Sequence, residues 1–389
     1  MKKIVYLDNN ATTKVAEEAL EEMIPYFAEK YGNPSSIHSF GGQIEKKIKS
    51  ARESVAGILG ASPQEIVFTS CGTESDNSAI RGVLDANPEK RHIITTKVEH
   101  PAVLNLCKHL QRTGYYVTFL SVNREGMLDL QELEESIRPD TALISAMWAN
   151  NETGVVFPVN EIGAIAKQHV VLFHCDAVQA LGKIPIDMSR SSIDLLTVSG
   201  HKIHAPKGIG ALYIRRGTRI SPFLIGGHQE KGRRGGTENV AFIVGLGKAA
   251  ELAMSHFDEE MKKVKGYRDR LEKQILKQSG TCKLNGHPIF RIPNTCNVSF
   301  EFVEGESILL LLDEVGICAS SGSACTSGSL EPSHVLRAMG VPFTCAHGSI
   351  RFSLSRYTTE EEIDYAIQVL PPIIHKLREI SPYAKTPNA

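Results

Sequence analysis

The chain has 389 residues, of which 42% are hydrophobic and 22% charged, with a formal net charge of −1. That length calls for two domains, and the even charge balance excludes nucleic acid or a membrane surface as an electrostatic partner. The first apolar run, in "MKKIVYLDNNATT", stops at Asp8, short of a secretory signal, and "SILLLLDEV" is core-sized rather than membrane-spanning, so a cytoplasmic protein is expected.

In chain order, the stretch from Gly42 to Gly60 places apolar residues at 44, 48, 51, 55 and 58. This is helical spacing closed by a glycine. Seven short apolar runs follow among helical stretches: "EIVFTS", "HIITT", "YYVTFLS", "TALISAMW", "VVLFHC", "DLLTVS" and "GALYIR". Strands alternating with helices predict an α/β fold with a mostly parallel sheet covered on both faces. The "GLGKAA" stretch from Gly245 fits the dinucleotide pattern G-x-G-x-x-A but lies inside a helical pattern with no strand before it. It is set aside.

The pattern changes after residue 257. A charged helical stretch leads to "NTCNVSFEF", the "ESILLLLDEV" helix, a serine- and glycine-rich segment at about 318–334, "SIRFSLS" and a helix opened by "TTEE". The expected organisation is a large domain over 15–257 and a small α+β domain built from 1–14 and 258–389. The serine-rich segment has the composition of a mobile tether, yet it carries a thiol, Cys325. The eight cysteines form no C-x-x-C pair, so neither a disulfide framework nor an intrinsic metal site is expected, and most should be reduced core residues.

Ligands in open α/β sheets gather beyond the carboxyl ends of the strands. Polar groups collect there at Cys71-Gly72-Thr73, Ala149-Asn150-Asn151, Asp176 with Gln179, and Gly200-His201-Lys202. Lys202, after an apolar strand, is placed to be a desolvated amine nucleophile. Asp176 can hold a pyridinium nitrogen protonated, the partner a pyridoxal phosphate ring needs. Taken singly, Lys202 reads as a surface lysine at a strand end and Asp176 equally as a helix cap; it is their conjunction that points to this chemistry. Gly72 and Thr73 open a helix whose N–H groups suit a phosphate, with Ser199, His201 and Thr237 as further donors.

The ordered set "YLDNNATT", "YGNPSS", "TSCGTESDN", "EHPAV", "ANNETG", "DAVQALGKIPID", "SGHKIHAPKG", "GGHQEKGRRGGTENV" and "SSGSACTSGSLEPSHVLRAMG" resembles the cysteine desulfurases of NifS type, within the aspartate-aminotransferase fold (fold type I) of pyridoxal phosphate enzymes. The resemblance implies that Lys202 binds pyridoxal 5'-phosphate covalently, Asp176 meets its ring nitrogen, Gln179 its hydroxyl and His100 its face. Gly72, Thr73, Ser199, Gly200 and His201 would hold the phosphate, with Thr237 supplied by the partner of a homodimer. Asn151 would lie beside cofactor and substrate, and Arg351 would bind the substrate carboxylate, with Arg356 the alternative. Cys325 would attack the sulfur of L-cysteine, with His100 as proton carrier, carry it as a persulfide and transiently meet an iron–sulfur cluster. "GGHQEKGRRGGTENV" and the ending "SPYAKTPNA" are nearer the nitrogen-fixation branch, whose acceptor is a NifU-like scaffold. The alternatives are a housekeeping desulfurase for general iron–sulfur assembly and a related lyase or aminotransferase.

Overall fold

The computed structural model of the chain describes residues 4–321 and 332–382. All seven apolar runs are strands of one sheet: β1 (Ile66–Thr69), β2 (His92–Thr96), β3 (Tyr116–Leu120), β4 (Thr141–Met147), β5 (Leu172–Asp176), β6 (Leu195–Ser199) and β7 (Gly210–Ile214). The order across the sheet is β1-β7-β6-β5-β4-β2-β3. Every pair is parallel except the two made by β7, which runs antiparallel to β6 and β1. Residues 200–209 between β6 and β7 form only one short turn, too little chain for a helical crossover, so the strand must return beside its predecessor. Because β7 reverses direction between them, β1 and β6 still end on the same side of the sheet as β2, β4 and β5.

The helix predicted from residue 42 starts slightly earlier, as α1 (Ser39–Leu59), because the His38 side chain accepts from the Gly41 N–H and caps it. Its stop is as expected: Gly60 adopts the left-handed φ of +59° that glycine takes without steric cost. The buried stripe is Ile44, Ile48, Ala51, Val55, Ala56 and Leu59, while Ile58 stays half-buried. The "GLGKAA" stretch lies within the helix α4 (Val240–Ser255), which follows α2 (Gly72–Ala86) and α3 (Pro101–Arg112) in the chain. Its glycines serve packing: a Cβ on Gly247 would stand 2.6 Å from Ala51 Cα, so α1 and α4 touch backbone to backbone.

Beyond α4 the chain forms the long α5 (Phe257–Gln278), then an antiparallel sheet of β8 (Cys282–Leu284), β9 (Thr295–Phe300) and β10 (Ser349–Ser353), with α6 (Gly305–Glu314) and α7 (Glu360–Ile380) packed around it. Thr359 and Glu362 close a capping box at the start of α7. These elements share an apolar core of their own, built on Phe300, Ile308, Leu312, Ile350, Phe352 and Ile374, to which Val5 and Leu7 of the N-terminal segment also belong. The main sheet packs separate clusters around Phe173, Leu196 and Tyr213 on one side and Ile93, Leu143 and Leu195 on the other.

Among the seven described cysteines, Cys107, Cys175 and Cys296 are buried, whereas Cys71, Cys282, Cys318 and Cys345 are half-buried. Fewer are core residues than their type suggests. Among the described residues, no single helix is long and apolar enough to cross a membrane.

Candidate active site

A cavity of about 320 Å³ opens beyond the carboxyl ends of the main-sheet strands. Gly72, Thr73, His100, Asn151, Asp176, Gln179, Ser199, His201, Lys202 and Arg351 all line it, so six separate stretches of sequence meet there, joined by Asn10 and Asp76. Gly200 is buried in the turn that carries Lys202 and does not line the cavity. Thr237 is exposed in the segment before α4 and is not part of the lining. Cys325 lies outside the described residues.

One end of the cavity is built to receive an anion. Helix α2 begins at Gly72, and its N-cap residue Cys71 offers no side-chain hydrogen bond, leaving the first N–H groups directed outward. A Cβ on Gly72 would come to 3.0 Å of Val178 Cγ2 and 3.5 Å of Ser199 Cβ; only a glycine brings the helix this close to the ends of β5 and β6. Ser199 ends β6, is buried, and its Oγ has no hydrogen-bond partner among the described residues. A buried hydroxyl without a partner is costly, and an oxyanion in this corner would satisfy it. His201 stands beside it with Nδ1 3.2 Å from Thr12 Oγ1.

The floor is a group of buried acids. Asp176 ends β5, and its Oδ1 accepts from the Val178 N–H at 2.9 Å. Burial pushes its carboxyl up to about 6, while the Val178 N–H and the Lys202 charge pull the other way. Asp76, one turn after Gly72 on α2, is raised well above the usual range, first by burial and then by the charge of Asp176. Burial raises Glu99 to about 8 although Thr96 and the Met147 N–H both donate to its Oε1. His174, 3.5 Å from Asp76, is pushed down to about 3 by burial, so their contact is not an ion pair. Burial thus raises all three carboxyls, and only at Asp176 does the charge of Lys202 act against it, which favours the negative charge of the group on Asp176.

Glu99 makes a pH-dependent contribution that can be measured. Its folded pKa of about 8 exceeds the ordinary carboxyl value of 4.5. Its stabilisation is complete below the unfolded value and is lost as pH rises through 8. Glutamine reproduces the shape of the protonated acid and cannot ionise. Urea unfolding of Glu99→Gln should match the unaltered protein at pH 5 and exceed it at pH 9, by on the order of a few kcal/mol; equal loss of stability in both proteins between those pH values would contradict this charge assignment.

Lys202 closes the short turn after β6, and its Nζ donates to the carbonyls of Asn10 and Ala11 at 2.6 and 2.7 Å. Gln179 is occupied: its Nε2 donates to Asn10 O at 3.0 Å and its Oε1 accepts from Lys183 at 2.9 Å. Lys183 is buried, and burial followed by the charges of Lys202 and Arg351 brings it down to about 7. His100 caps α3, its Nδ1 accepting from the Ala102 N–H at 3.2 Å. Burial and the charge of Lys202 hold its pKa at about 4, so the ring is neutral with its proton on Nε2. Arg351, on β10 and 3% exposed, donates to Asp8 Oδ1 at 2.8 Å and to Asn151 O at 2.9 Å. Arg356 instead pairs with Glu260 at 2.8 Å and lines a separate cavity of about 40 Å³.

Three participants escaped the sequence reading. Asn10 and Ala11 act through backbone carbonyls, which leave no mark on residue type. Asp76 did leave a signal, since residues 72 and 76 share a helix face.

The aminotransferase class-V family model matches residues 5–366. A cysteine desulfurase from Trichormus azollae is 63% identical over 98% of this chain and 95% of its own length. The cysteine desulfurase NifS of Azotobacter vinelandii is 57% identical over 97% of this chain and 94% of its own. A solved structure described as a NifS-like protein superposes with a TM-score of 0.91 at 41% identity, over 96% of this chain and all of that one. With matches spanning nearly its whole length in sequence and in fold, the chain belongs to the class-V aminotransferase family and, within it, to the cysteine desulfurases of NifS type.

Proposed function

We propose that this protein uses pyridoxal 5'-phosphate to convert L-cysteine to L-alanine, passing the sulfur to Cys325 as a persulfide for iron–sulfur cluster assembly. The observation that carries the reading is the cavity itself. An amine, a buried carboxylate, an unpartnered buried serine hydroxyl and an uncapped helix start face one space, which is the donor set a phosphorylated pyridine aldehyde requires. When bound, that cofactor supplies a protonated ring that draws electrons from the substrate's Cα. Gly72, Thr73, Ser199 and His201 would hold its phosphate, and Asp176 its ring nitrogen. One N–H of Gln179 Nε2 is held by Asn10 O, and its second N–H would be the donor to the ring hydroxyl. Thr237 would be delivered by a partner subunit.

The chain's own groups then have defined tasks. Arg351 binds the substrate carboxylate in a guanidinium fork, and Asn151 lies beside it. Lys202 takes the proton from Cα and later returns one. His100, neutral with Nε2 protonated, would face the ring and move a proton at that atom. The Cys325 thiolate attacks the substrate Sγ: a sulfur–sulfur bond forms, the Cβ–Sγ bond breaks, and its electron pair stays with the carbon that becomes the alanine methyl group. L-cysteine and an enzyme thiol thus become L-alanine and an enzyme persulfide, without an outside oxidant.

The small sheet's own apolar core, which Val5 and Leu7 join, supports a division at about residue 257 with residues 1–14 in the small domain, while Ile292, Val335, Leu336 and Met339 cross back to pack on the main-sheet cluster. Exposed Phe27, Tyr31, Ile37 and Ile225 support a homodimer. We assign the enzyme to the cytoplasm and to nitrogenase maturation, with a NifU-like scaffold as acceptor; a housekeeping desulfurase is the alternative. The reaction is tested by treating the loaded protein with L-cysteine, then measuring alanine and the mass of the Cys325 peptide. One added sulfur on Cys325 with matching alanine is expected; a keto acid product with no added sulfur would sink this reading and favour an aminotransferase.

A further inference from the structure

Residues Asp8–Ala11 form one turn, closed by the Ala11 N–H donating to Asp8 O at 3.0 Å. At one end Asp8 Oδ1 accepts from Arg351 Nη2 at 2.8 Å. At the other, the carbonyls of Asn10 and Ala11 accept from Lys202 Nζ at 2.6 and 2.7 Å. A second link runs alongside: Asn151 O accepts both from Arg351 Nη1 at 2.9 Å and from Asn10 Nδ2 at 3.1 Å. The turn is pinned to the small sheet by Asn10, whose N–H donates to Ser353 Oγ at 2.9 Å and whose Nδ2 donates to Thr295 Oγ1 at 2.8 Å. A guanidinium on the small sheet and an amine beyond the main sheet therefore rest on the same four residues.

We propose that the Asp8–Ala11 turn is a positioning element that couples capture of the substrate carboxylate by Arg351 to release and recapture of the Lys202 amine. The proposal rests on the roles given above to those two residues. Its physical basis is competition for shared partners. Arg351 Nε has no partner among the described residues, while Nη2 holds Asp8 Oδ1 and Nη1 holds Asn151 O; a carboxylate bound side-on across Nε and Nη2 therefore competes with Asp8, which lies on the turn. Carbonyl oxygens accept hydrogen bonds and cannot donate them. The two carbonyls therefore suit Lys202 as an ammonium, the form it has once it holds the substrate's Cα proton. Letting go of Asp8 frees the turn to shift those carbonyls, and the amine with them.

Asp8→Asn and Asn10→Ala test this with two amine reagents that displace Lys202 from the loaded cofactor, followed by visible absorbance. Aminooxyacetate carries a carboxylate; O-methylhydroxylamine does not. At saturating reagent the limiting rate with aminooxyacetate should fall about tenfold in both variants, while the rate with O-methylhydroxylamine stays unchanged. In cofactor-free protein, reductive methylation of Lys202 by formaldehyde and cyanoborohydride, read by peptide mass spectrometry, should be faster in Asn10→Ala. Asp8→Asn, nearly isosteric, keeps the test open if Asn10→Ala fails to fold. Equal slowing with both reagents, slowing with neither, or unchanged labelling of Lys202 overturns the proposal. A protein that takes up no cofactor on Lys202 overturns the functional reading instead.

Discussion

Lys202→Ala should lose at least about 10³-fold in alanine formation, because one substitution removes both the amine proposed to anchor the cofactor and the base proposed to take the Cα proton. The fold should survive. Lys202 is half-buried in a three-residue turn, outside the apolar clusters. What the variant leaves behind is two carbonyls, Asn10 O and Ala11 O, and Asn10 O keeps the Gln179 Nε2 bond at 3.0 Å. Lys202→Arg separates charge from chemistry. It keeps a cation near the two carbonyls, but a guanidinium is a poor nucleophile and stays protonated. Both variants should bind the cofactor non-covalently through the α2 start, Ser199 and Asp176, so borohydride reduction should fix it to the unaltered protein alone. Covalent fixation in Lys202→Ala, found by mass spectrometry, would move the anchor to another lysine, and buried Lys183 would be the first to examine.

The fold was legible where periodicity and termination signals coincide. Each run that became a main-sheet strand is short, β-branched or aromatic, and ends at a glycine, a polar cluster or a helix start. Strand direction is written less clearly. Nothing in "GALYIR" announces that it runs backwards; that follows from the short connection before it, not from its own residues. The site was legible wherever a side chain does the work at a strand end, as with Asp176, Ser199 and Lys202. It was illegible where backbone atoms do the work: the contact from Lys202 to Asn10 spans 192 residues and uses a carbonyl that every residue type possesses. Gln179 shows a further limit. Position and chemistry were foreseen, but not that its amide already bonds Asn10 and Lys183. The cysteines mislead in the opposite sense. Residue type predicts burial, yet half-buried Cys71 lines the cavity itself.

That neighbour sharpens the second large expectation, that Cys325→Ala keeps the cofactor's absorbance and still binds L-cysteine but forms alanine about 10³-fold more slowly. A thiolate is the attacking species, and most of the described thiols are poorly placed to be one. Burial pushes Cys107 up to about 12 and raises Cys175 and Cys296 strongly. Cys282, Cys318 and Cys345 are also raised, each first by burial. Cys71 is the structural rival, because it stands where the phosphate-binding helix begins. Position argues against it: Cys71 is fixed in the cavity wall at the start of α2, next to the anion corner, so a sulfur transferred there could not travel to a protein acceptor. The remaining thiol is Cys325, in the serine-rich segment whose composition is that expected of a tether. The decisive comparison is the location of added sulfur after L-cysteine treatment of Cys325→Ala. Its absence together with the loss of alanine assigns the transfer to Cys325; undiminished alanine with sulfur on Cys71 would assign it to the cavity wall.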